Sequence, residues 1–68
     1  MTDEERMLQE YISHNIWLVR GTTKEEAIAR MVSQMYCTGG DTTYLLISHF
    51  KDTLGSAIAK VLEEKHQT

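Results

Sequence analysis

The chain has 68 residues, seven basic and ten acidic, for a net charge of −3, with no proline and one cysteine. That length allows a single domain, and a domain this small buries only about 60% of the surface its unfolded chain exposes. Cys37 alone excludes an intrachain disulfide, evenly mixed charges argue against a basic nucleic-acid stripe, and apolar runs of four residues fall far short of a membrane span.

The opening Met1-Thr2-Asp3-Glu4-Glu5 is acidic, the wrong sign for a secretion signal, and a lone cysteine suits a reducing compartment, so the expected location is the cytoplasm. Neither a disulfide nor a zinc ligand set is available to staple so small a core. Oligomerisation or partner binding is the remaining route to further burial.

Gly21 and the Gly39-Gly40 pair cut the chain into three segments, each of which reads as a helix. The first covers residues 3–20. Leu8, Ile12, Ile16 and Val19 line one face, Asp3, Glu4 and Glu5 suit the positive end of the macrodipole, and Arg20 suits the negative end. Ser13-His14-Asn15 is a run of poor helix formers inside it, and Ile16-Trp17-Leu18-Val19 also has the look of a strand, but no second strand exists to pair with it.

The second helix covers residues 23–37. Thr23 and Glu26 have the spacing of a capping box, in which hydroxyl and carboxylate satisfy each other's free amides. Ala27, Ile28, Met31, Val32 and Met35 then repeat at helical spacing. The third helix, residues 42–65, carries Ile47, Phe50, Leu54, Ile58, Val61 and Leu62. It would be about 36 Å long against roughly 21 Å for the second, so either Gly55-Ser56 bends it or its overhang packs on something else. Short connections favour antiparallel neighbours. The expected fold is all-α, a three-helix up-down-up bundle with the long third helix as its spine, in a dimeric molecule.

No catalytic, cofactor or metal constellation stands out. His14, His49 and His66 are scattered, Cys37 falls near a helix C-terminus where the dipole opposes a thiolate, and the possible His49–Asp52 pair has no nucleophile beside it. Asp41-Thr42-Thr43 after the glycine pair lacks the lysine and spacing of a phosphate loop.

What does stand out is surplus apolar surface. Ile16-Trp17-Leu18-Val19 and Tyr44-Leu45-Leu46-Ile47 send apolar groups right around a helix, whereas one buried face needs only three or four positions per two turns. Gly55, with Ser56, Ala57 and Ala59 beside it, allows another helix to approach closely. The reading is a non-enzymatic helical interaction module, a homodimer with a further protein partner. Trp17, Tyr44, Leu45 and Phe50 are its docking anchors, and Leu54, Ile58 and Val61 its self-association seam. The alternative is a small DNA-binding regulator, whose second and third helices form a helix-turn-helix-like hairpin presenting Thr42, Thr43, Ser48, His49 and Lys51. Net acidity and the single lysine in that stretch count against it.

Overall fold

Thr2 opens the first helix, α1 (Asp3–His14), in a computed structural model that describes residues 2–66, with side chains as far as residue 64. The Glu5 N–H donates to Thr2 Oγ1 at 3.1 Å and the Thr2 N–H donates to Glu5 Oε1 at 3.3 Å, a complete capping box that sequence spacing equally permits here. The bond from the Thr2 backbone, followed by that from its hydroxyl, holds the Glu5 carboxyl below the ordinary 4.5 of a glutamate.

The first helix stops six residues short of the expected Arg20. Asn15 ends it: its N–H donates to Tyr11 O and Ile12 O, both at 3.2 Å, and its Nδ2 donates to Tyr11 O at 2.9 Å. Side chains that bond nearby carbonyls compete with helix propagation, and Ser13 does the same towards Gln9 O at 2.9 Å. The apolar run Ile16–Val19 is therefore neither helix face nor strand but a 3₁₀ turn, followed by Gly21 at φ 73°.

In α2 (Lys24–Thr38) the Glu26 N–H donates to Thr23 Oγ1 at 3.2 Å, the hydroxyl half of the expected box. Ala27, Met31 and Met35 are buried along one face, with Ile28 and Val32 partly buried beside them. Gly39 and Gly40 then turn the chain at φ 71° and 96°, values that glycine adopts at little cost.

The third helical stretch is not one rod. It consists of α3 (Asp41–Phe50), a 3₁₀ turn at Lys51–Thr53, and α4 (Leu54–His66). The break falls at Lys51, with φ 40° and ψ −110°, four residues before Gly55. Its polar groups are satisfied locally, since Lys51 N–H bonds Ile47 O and Thr53 Oγ1 bonds Phe50 O at 2.7 Å. Gly55 lies inside α4 and is not the bend, and a Cβ there would sit in ordinary contact, 3.7 Å from Ile28 Cγ2 of α2.

The bent stretch is nevertheless the spine. Both α1 and α2 pack on α3 and α4, and the first 3₁₀ turn lies against α2. Leu8, Ile12, Val19, Ala27, Met31, Met35, Leu46, Leu54, Ile58, Val61 and Leu62 form the core. The residues of the expected self-association seam lie inside the single chain. Leu54, Ile58 and Val61 are 5%, 0% and 7% exposed, because the bend turns their face onto α1 and α2 of the same chain. The Cα radius of gyration, 11.0 Å, equals the roughly 11 Å of a compact chain of this length. An exposed ion pair from Lys24 Nζ to Glu63 Oε1 links the start of α2 to the later part of α4.

Two outcomes test this account. Gly55→Ala should raise stability by about 0.5 kcal/mol in denaturant unfolding, because the added methyl meets only ordinary contact and the unfolded chain loses freedom. The depressed Glu5 pKa makes the capping carboxylate stabilising above its unfolded value, and that contribution is lost as pH falls through the folded one. Glu5→Gln should therefore melt below the wild type at neutral pH, with the gap closing as pH drops past 4.5.

Candidate interaction surface

Among the described residues, four large apolar side chains are exposed. Trp17 is 61% exposed, Tyr36 64%, Tyr44 74% and Leu45 43%. Their positions follow from the breaks just described. Trp17 sits in the 3₁₀ turn that replaces the end of the first expected helix, and with α1 stopped at His14 it leaves the stripe that buries Leu8 and Ile12. Tyr36 lies one residue past Met35, which turns it about 100° off the buried face of α2. Tyr44 and Leu45 lie in the first half of α3, flanking Leu46, which is fully buried, and following Thr43, which is 5% exposed.

Three of the four gather where α2 meets α3. Only the Gly39-Gly40 turn separates the last turn of α2 from α3, whose first turn is closed by the Tyr44 N–H donating to Gly40 O at 3.0 Å. The first 3₁₀ turn lies along α2, with Arg30 Nη1 donating to Leu18 O at 3.2 Å. Leu18 and Cys37 line one shallow depression together with Arg30, Ser33 and Gln34. Trp17 and Tyr36 are the chain neighbours of Leu18 and Cys37, and neither lines the depression itself.

Of the expected anchors, Trp17, Tyr44 and Leu45 are thus exposed. Phe50 is half-buried, its ring meeting that of His49 edge-on with centroids 4.9 Å apart. Leu54, Ile58 and Val61 belong to the core of the single chain. Tyr36 escaped the sequence reading, although the spacing of Met31 and Met35 already placed it off the core face.

His49 faces Glu4 of α1, with Nδ1 to Oε1 at 3.9 Å, rather than Asp52, because the helix that would have aligned His49 with Asp52 ends at Phe50. A groove between α1 and α4 runs past His49 and Phe50, with Glu5, Lys60 and Glu64 at its rim. Opposite charges alternate along it, and Thr53 Oγ1 is committed to Phe50 O. Cys37 and His14 are exposed in the last turns of α2 and α1, and the His66 side chain lies outside the described residues. Among the described residues no three His, Cys, Asp or Glu side chains gather as metal ligands, and no helix is long and apolar enough to cross a membrane. On the surface considered for DNA contact, Thr42, Ser48, His49 and Lys51 are exposed, but Thr43 is part of the interior.

Compared with known proteins, the chain matches no family model, no curated protein and no solved structure.

Proposed function

We propose that the chain is a non-enzymatic helical interaction module that docks through the aromatic surface formed by its first 3₁₀ turn, the end of α2 and the start of α3. One observation carries this reading: the sole tryptophan and two of the three tyrosines are exposed, while two methionines occupy fully buried core positions. A fold that needed its aromatics for its own stability would bury them, since Phe, Tyr and Trp bring the largest apolar areas to a core. Tryptophan, tyrosine and arginine are the side chains that most often dominate binding energy at interfaces, and Trp17, Tyr36, Tyr44 and Arg30 supply all three.

The surface serves a second copy of the chain, a different protein, or each in turn. Its charge supports a protein partner over a nucleic acid, because the net balance is −3 and α3 with its following turn brings one lysine. The exposed free thiol of Cys37 fits a reducing compartment, and the cytoplasm is the location that goes with this role.

Trp17 reports on the proposal directly. As the only tryptophan, and 61% exposed, it should emit as a water-accessible indole in dilute solution. Its emission should shift to the blue as chain concentration rises through the dissociation constant of a self-complex, or on titration with a partner. Trp17→Ala should change folding stability by less than about 1 kcal/mol, since little burial is lost, yet weaken association at least tenfold, the equivalent of about 1.4 kcal/mol. Sedimentation and thermal melting separate the two effects. A folded variant that associates like the wild type would remove Trp17 from the interface.

A further inference from the structure

The Lys51 break joins two helices whose sequence is written as one. At about 100° per residue, the buried and half-buried side chains Thr43, Leu46, Ile47, Phe50, Leu54, Ala57, Ile58, Val61 and Leu62 fall within an arc of about 160° on a single continuous helix, with half-buried Ala59 about 60° beyond it. Lys51, Asp52 and Thr53 contain neither glycine nor proline, and Lys51 is the only non-glycine residue in the described chain with positive φ. The apolar stripe therefore fits a straight helix, and the bend brings α4 onto α1 and α2.

We infer that this hinge lets two copies of the chain exchange α4, with Asp41–His66 straightened into one helix and the α2–α4 contacts re-formed between chains. The occupant of the place α4 vacates has to be a second α4. A straight helix over these 26 residues is about 39 Å long, beyond the 29 Å longest extent of the closed chain, so it cannot fold back on its own α2. Leu54, Ile58, Val61 and Leu62 would then stand in water unless a partner's α1 and α2 covered them. Exchange restores every such contact and releases the strained Lys51 backbone twice, once per chain. Short hinges under strain are where such exchange arises. The inference rests on the self-association part of the preceding proposal but not on its aromatic surface.

The test refolds the full chain from denaturant at millimolar concentration and separates the products by size exclusion with light scattering. In a Cys37→Ser background, Lys24→Cys and Glu63→Cys place thiols at the two ends of the α2–α4 ion pair, for bridging by a short bismaleimide. The dimer fraction should run as a covalent dimer on a denaturing gel, and the monomer fraction as a bridged single chain. Lys51→Gly, which accepts the bent backbone without strain, should weaken the dimer about tenfold per hinge, or roughly a hundredfold in its dissociation constant. The pair Asp52→Ala and Thr53→Ala, which raises helix propensity and removes the bond to Phe50 O, should tighten it. A dimer fraction bridged only within chains overturns exchange while leaving surface docking intact. A chain that refolds only to monomer, or a Lys51→Gly dimer as tight as the wild type, also overturns it, and the Trp17 titration then judges the docking surface by itself.

Discussion

One backbone angle sets what this small chain buries. At Lys51 the third helical stretch turns back on itself, and because of that turn Leu46 on one side and Leu54 and Ile58 on the other serve the same core. Without it, α4 would project beyond α2 and its apolar face would have no cover inside the molecule. A lysine in this region of backbone space costs on the order of 1–3 kcal/mol. Burying one leucine or isoleucine contributes about 1.5–3 kcal/mol, so the several side chains gathered by the bend outweigh it. Tertiary packing overrides local preference here, in a fold that has no disulfide to do the same work.

The same constraint explains why the exposed aromatics are where they are. With α3 and α4 both drawn onto the interior, α1 and α2 pack against the bent spine, and the chain linking them lies as a 3₁₀ turn on α2. Trp17 is carried on that link, and Tyr36 and Tyr44 flank the two-glycine corner at the end of α2. These sites lie at element ends, where a side chain is free of the helical stripe. The interior meanwhile relies on Met31 and Met35, whose unbranched side chains adapt to irregular space. Trp17, Tyr36 and Tyr44 face outward, while Tyr11 and Phe50 pack against the core.

Much of this was legible in the residues. The glycine turns, the start of α2 at Thr23 and the inward faces of α1 and α2 follow from spacing, because each depends on neighbours within one turn of the chain. The end of α1 was half legible. Ser13-His14-Asn15 announced a weak helix, but only the bonds from Asn15 to Tyr11 and Ile12 show that it stops there. A bend was legible in the length mismatch, at Gly55-Ser56, but its place at Lys51 was not, since no glycine or proline marks it and its cause lies in contacts made by Leu54 and Ile58 with distant elements. That one bend also buries the expected association seam within the single chain. Leu54, Ile58 and Val61 look like a spare face on a straight helix and prove to be the interior of a folded one.

The two buried methionines carry a further consequence. Sulfoxidation converts an apolar thioether into a polar, chiral group, and Met31 and Met35 have no exposed surface through which an oxidant arrives while the chain is closed. Their oxidation is thus gated by breathing of the fold, and each event leaves a polar oxygen among apolar side chains. Under peroxide the molecule would age by a ratchet: every opening that admits the reagent makes the next closure less complete.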